Sequence, residues 1–171
     1  MPEFLEKMSN GEKAVLGGSL LVLIGMFLPW YGIDFLGVSE SVSGFHSWGL
    51  LTFLALLAVV AFWVIRGPLA DQVKLPDMPV TDAQVYMIGG AIEVLGALIF
   101  WLAYKADNAS LPGFSAGVKF GVFVALVGGI VTIVGGYLKQ SEPAPLASTP
   151  NAPAPPPTTY GAPPPPAAPP V

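Results

Sequence analysis

The sequence predicts an all-α fold: a polytopic membrane bundle of four helices, built as a duplicated helical hairpin, with a disordered tail. Three observations predict it. Of 171 residues, 53% are hydrophobic and 11% charged, whereas a soluble domain carries roughly a quarter charged residues. Four apolar runs are each long enough to cross about 30 Å of hydrocarbon at 1.5 Å per residue. From Ser141 onward the composition changes, and thirty-one residues hold thirteen Pro and one charge, Glu142.

The first run covers about Ala14 to Trp30, and Ser9-x-x-Glu12 is a capping box that starts its helix slightly earlier. Bulky Leu28-Pro29-Trp30-Tyr31 follows it where a cleaved leader would show small residues, so the run reads as a retained anchor. The second run covers about Trp48 to Ile65, the third Ala83 to Tyr104 and the fourth Val118 to Leu138. Each is expected to be helical, because lipid offers no partner to an unpaired backbone N–H or C=O. The runs are continuous rather than alternating, which excludes a closed barrel. The domain so defined spans 1–140, and 141–171 is the tail.

Orientation follows from the basic residues that flank the runs. Lys7, Lys13, Arg66, Lys74 and Lys139 fall on one side, and Lys105 and Lys119 on the other. Five against two puts both termini in the cytoplasm. Trp30, Tyr31, Trp48, Trp101 and Tyr104 then form an outer aromatic belt. Asn108-Ala109-Ser110 matches a glycosylation sequon, a triplet common by chance.

The halves echo each other. Val15-Leu-Gly-Gly-Ser-Leu-Leu-Val-Leu23 resembles Met87-Ile-Gly-Gly-Ala-Ile-Glu-Val-Leu95, and Ser41-Val-Ser-Gly-Phe45 resembles Ser110-Leu-Pro-Gly-Phe114. Phe53-Leu-Ala-Leu-Leu57 and Phe123-Val-Ala-Leu-Val127 keep the same order. Helices 1 and 3, and helices 2 and 4, are therefore expected to be equivalent in a parallel repeat about the membrane normal.

Glycines recur every seven residues: Gly11, Gly18 and Gly25; Gly89 and Gly96, followed by Ala103; Gly121, Gly128 and Gly135. A seven-residue period holds one stripe toward one neighbour. Glycine lets backbones approach, and close packing is what holds helices together in lipid. The stripes read as packing within the bundle. The rival is a homo-oligomer interface on helix 4, where Gly117-x-x-x-Gly121, Gly128-Gly129 and Gly135-Gly136 lie.

Glu93 is the one ionisable residue near a helix midpoint, about 16 Å from either end by the helical rise. A charge there costs about 2.5–3.5 kcal/mol on insertion scales. It is expected to face the bundle, near Gly128 and Gly129 or the hydroxyls of Ser19, Thr52 or Thr132. Its functional reading is a proton- or cation-binding site. The structural reading is a protonated acid whose hydrogen bond pins the packing. Asp34, Glu40 and His46 share the first outer loop, but their spacing fits no established metal site.

The tail favours extended polyproline II and cannot bury a core. Pro150-x-x-Pro153 and the run Pro163, Pro164, Pro165 and Pro166 can dock an aromatic groove in a protein partner. Composition narrows the function further. There is no basic patch for nucleic acid, no Cys, no phosphate loop and no nucleophile paired with a base. Neither enzyme activity nor a cofactor is expected.

Leu28-Pro29-Trp30-Tyr31, Ser43-Gly44-Phe45-His46-Ser47-Trp48-Gly49 and the Pro/Ala-rich end together resemble small uncharacterised four-helix membrane proteins of actinobacterial type. The resemblance implies an architecture and transfers no functional residue. Lys outnumbers Arg six to one, a departure from very GC-rich genomes. The expected function is a non-enzymatic membrane scaffold or interaction protein. Its bundle anchors in the lipid bilayer and can oligomerise, while the tail recruits a partner. The alternative is a small transporter or ion pathway using Glu93. Small multidrug transporters also have four helices and a membrane Glu, but theirs lies in the first helix, so that family is not adopted.

Overall fold

The computed structural model describes residues 8–70, 72–73, 79–105 and 114–142. Within them run α1 (Asn10–Phe27), β1 (Pro29–Phe35), β2 (Val38–Ser43), α2 (Gly49–Arg66), α3 (Asp82–Lys105), β3 (Phe114–Val118) and α4 (Phe120–Ser141). The fold is mostly helical but not all-α. A three-stranded antiparallel sheet, in the order β2-β1-β3, joins the loop between α1 and α2 to the segment before α4.

That sheet corrects the all-helical expectation, and its causes are local. The residue before a proline is driven out of the α region, so Leu28 turns extended (ψ 156°) and α1 stops at Phe27 rather than Trp30. The chain then runs out as a strand rich in aromatic and β-branched residues, Trp30, Tyr31, Ile33 and Phe35. It reverses at Leu36 and Gly37, both at positive φ (46° and 88°), between the paired residues Phe35 and Val38. Two central residues with positive φ form the mirror-image turn that matches strand twist. Leucine is an unusual choice for it, which is why the hairpin carries no Asn-Gly or Asp-Gly signal.

Three helices, α2, α3 and α4, are long and apolar enough to cross a membrane. α1 is 18 residues long and spends its first turn on Asn10, Glu12 and Lys13, so its apolar part is shorter. The capping box at its start is formed: the Glu12 amide donates to Ser9 Oγ at 3.2 Å and the Ser9 amide to Glu12 Oε2 at 3.1 Å.

Helix order in space differs from order in sequence. α4 is central, packing most extensively on α1 and then on α3, while α3 packs on α2. The α1–α2 contact is the sparsest between helix neighbours. The two hairpins are thus unlike: α1 and α2 are joined by a β-hairpin and touch little, whereas α3 and α4 are closely packed. The duplicated-hairpin symmetry is not visible in the described residues.

Glycine explains the central position of α4. A Cβ on Gly18 would lie 2.6 Å from the Thr132 amide N, and one on Gly128 would lie 2.6 Å from the Val22 N. Gly11 faces Gly135 in the same way, and Gly25 faces Ala125. These are direct backbone contacts between antiparallel helices. Gly121 closes the row, where a Cβ would meet Trp30 and the Pro29 carbonyl oxygen. The second glycine of each doublet in α4 turns to the other side. Gly129 meets Glu93 and Val94, and Gly136 meets Ala83 and Met87. On α3, Gly89 receives Val59 and Gly96 receives Thr52. The stripe on α4 that also allowed a homo-oligomer is therefore covered within the chain by α1.

Trp30 caps the sheet end of the bundle. It is fully buried, its indole N–H donates to the Gly25 carbonyl at 2.7 Å, and it meets Phe100 edge to face at 4.9 Å. Tyr31 is also buried, while Trp48 is half exposed. Trp30 and Tyr31 thus serve the core rather than an interfacial belt.

Adding one methyl discriminates this packing. Gly18→Ala should lower stability by about 1–3 kcal/mol through overpacking. Gly17→Ala, whose Cβ meets nothing within 4 Å, should not. Thermal unfolding of the two variants in one detergent checks this, and equal melting would contradict the α1–α4 contact.

Candidate functional site

The described residues bury four polar side chains: Ser19 on α1, Thr52 on α2, Glu93 on α3 and Thr132 on α4. Each helix contributes one. Contacts put them in one layer. Gly18, beside Ser19, lies against Thr132, with a would-be Cβ 2.6 Å from Thr132 Oγ1. Gly129 lies against Glu93, with 3.2 Å to its Cβ, and Thr52 Oγ1 donates to the Glu93 backbone carbonyl at 3.2 Å. The layer exists because α3 and α4 meet at a glycine, which leaves room beside Gly129 for the longer Glu93 side chain.

Glu93 is 0% exposed, and neither carboxyl oxygen has a hydrogen-bond partner among the described residues. Thr132 approaches the carboxyl, but its well-aligned hydrogen bond goes to the Gly128 carbonyl at 3.1 Å. Ser19 Oγ is likewise buried without a partner. With its own proton given to the Gly128 carbonyl, Thr132 Oγ1 offers the carboxyl an acceptor. Thr52 holds the Glu93 backbone, so replacing the Glu93 side chain would leave that bond in place.

The two ends of the bundle are sealed by charge. Away from the sheet, Lys139 donates to Glu12, and the Gly11 amide donates to Glu142 Oε1 at 3.0 Å. These contacts tie the last turn of α4 to the first turn of α1, with an acid at the helix N-terminus and a cation at the helix C-terminus, as the macrodipoles favour. Arg66 pairs with Asp82 at 3.2 Å, joining the end of α2 to the start of α3. These pairs are partly exposed, so each is worth about 0–1 kcal/mol.

At the sheet end, Lys119 pairs with Asp34 at 3.4 Å and so bridges the strand-to-helix junction of α4 to β1. Ser39 also donates to Asp34. Asp34 therefore does not meet Glu40 and His46 in a cluster, and no metal-binding group forms among the described residues. Pro150, Pro153 and Pro163 to Pro166 lie outside the described residues, as do Lys7, Lys74 and the Asn108 sequon.

Sequence reasoning missed Trp30 as a core residue and the Glu142 cap. The Pro29 that ends α1 was the available signal for the first. Nothing local marks the second, since its partner is Gly11.

The Asp34 environment fixes a pH response. The Ser39 hydroxyl, and next the Lys119 ammonium, hold the Asp34 carboxyl below its ordinary value. Its favourable contacts are complete above the usual carboxylate range and fade as pH falls through the lowered value. Ser39→Ala should raise the Asp34 pKa in a carboxyl-carbon NMR titration. An unchanged titration would mean that the hydroxyl contact is not made in solution.

Comparison with protein-family models gives no match, and comparison with curated proteins gives none either.

Proposed function

We propose that this chain is a non-enzymatic membrane scaffold. Its four helices cross the bilayer with both termini in the cytoplasm, it carries a small sheet outside, and it recruits a partner through its proline-rich tail. One observation carries the reading. The sheet draws on the loops of both helix pairs at one end of the bundle, and the chain enters α1 and leaves α4 at the other. Such a body displays one element on each side of a membrane.

Two further observations support it. α1 touches α4 from Gly11 at one end to Gly25 at the other. A spanning α4 therefore carries α1 across with it, although α1 is the least apolar by composition. Lys13, Arg66 and Lys139 stand at the end where the chain begins and leaves, and Lys105 and Lys119 at the sheet end. That asymmetry favours cytoplasmic termini. Large apolar side chains such as Leu54, Leu95, Leu102 and Val127 are exposed on the outer faces of α2, α3 and α4, where acyl chains would cover them.

The tail suits weak recognition, because a preformed polyproline II segment loses little entropy on binding. Thirty-one residues at about 3.1 Å each reach roughly 95 Å if fully extended.

The chain has no Cys, so single cysteines report position cleanly. Cysteine at position 34 should react with an impermeant maleimide on intact cells, and cysteine at position 74 only after lysis. The reverse pattern would invert the topology. A truncation that keeps Glu142, and with it the cap on Gly11, should melt like the full chain and lose the partners captured by the full chain. A tail of equal length in scrambled order should lose them too. Recovery of every partner by the scrambled tail would reduce the tail to a spacer.

A further inference from the structure

A polar layer in the middle of an apolar bundle costs stability unless something uses it. An apolar side chain at Ser19 or Glu93 would leave no polar atom to match, whereas an unmatched buried polar atom has lost its hydration with no hydrogen bond to offset it. Three atoms of this layer are unmatched: Ser19 Oγ, Glu93 Oε1 and Glu93 Oε2. All three are oxygens. No Lys, Arg or His among the described residues belongs to the layer, so the protein supplies no counter-charge. A cation beside the Glu93 carboxylate would supply the missing partner.

We propose that the layer binds one alkali-metal cation, with the Glu93 carboxylate as its anionic ligand and the Thr132 hydroxyl beside it. A single positive charge matches a single carboxylate and leaves the layer neutral, whereas a divalent ion would leave a buried excess charge. Hard monovalent cations take oxygen donors such as carboxylate, hydroxyl and carbonyl. A proton would neutralise Glu93 but occupy only one of the unmatched oxygens.

An apolar groove borders the layer at Ser19. The sparse α1–α2 contact leaves an apolar groove of about 270 Å³ whose lining includes Ser19, Leu20, Phe53 and Leu57. Ser19 is the polar residue of that lining.

The test uses the purified full chain in mild detergent, melted at one fixed alkaline pH. Ionic strength is held constant while sodium, lithium or potassium replaces N-methyl-D-glucamine. Ligand that binds only the folded form raises the melting temperature. The wild type should melt several degrees higher in at least one alkali cation than in N-methyl-D-glucamine. That rise should vanish in Glu93→Gln, which keeps the side-chain shape, and shrink in Thr132→Val. Should Glu93→Gln fail to fold, equilibrium dialysis of the wild type against whichever alkali cation raised its melting temperature decides in its place. Identical wild-type melting in every salt, an undiminished rise in Glu93→Gln, or no saturable binding of that cation would each overturn the proposal.

Discussion

The structure depends on direct backbone contact between α1 and α4. Gly11, Gly18 and Gly25 meet Gly135, Gly128 and Ala125 with no side chain between them. In water such a contact would rank below side-chain burial. Among helices in lipid, where acyl chains are as apolar as leucine, close packing is the main attraction available. A seven-residue period keeps the stripe on one face for the whole length of α1. The rest follows from that seam. It fixes the chain end after α4 beside Gly11, where Glu142 caps α1. It also brings Trp30 to Gly121 at the opposite end, where the extended chain after α1 becomes the middle strand of the sheet.

Paired glycines let α4 do this twice. In Gly128-Gly129 and Gly135-Gly136, neighbouring residues about 100° apart on the helix face α1 and α3 respectively. α4 becomes the hub, and α2 is held mainly through Val59 and Thr52 against the glycines of α3. The helix furthest from the hub has the loosest neighbour contact, between α1 and α2. Rigidity at the hub and an opening at the rim come from the same arrangement, and the buried polar layer lies between them.

Much of this was legible in sequence, for physical reasons that particular residues show. Apolar runs of fixed length gave the four helices, and the glycine period marked faces that need close neighbours. Glu93 was legible as an outlier because no other ionisable residue sits at a helix midpoint. The sheet was not legible. Its strands are short, its turn uses Leu36-Gly37 in place of a recognisable pair, and β3 pairs with β1 from Tyr31↔Val118 to Phe35↔Phe114, far apart in sequence. Helix order was also out of reach. Periodicity says that a stripe faces something, but only three-dimensional contact shows that Gly18 faces Gly128 and not its equivalent in another chain. The repeat expected from the two halves has no counterpart in the packing, since α1 and α2 touch little whereas α3 and α4 pack closely.

The contact between α1 and α4 is tested most directly by cross-linking. A Cβ on Gly25 would lie 3.1 Å from Ala125 Cβ, slightly inside the ~3.5–4.5 Å separation of a disulfide. In this Cys-free chain, Gly25→Cys combined with Ala125→Cys should oxidise within one molecule and change mobility on a non-reducing gel. Gly17→Cys with Ala125→Cys, on the uncontacted face of α1, should remain reduced. A 25–125 pair that stays reduced, or a 17–125 pair that closes as readily, would contradict the seam on which the fold rests.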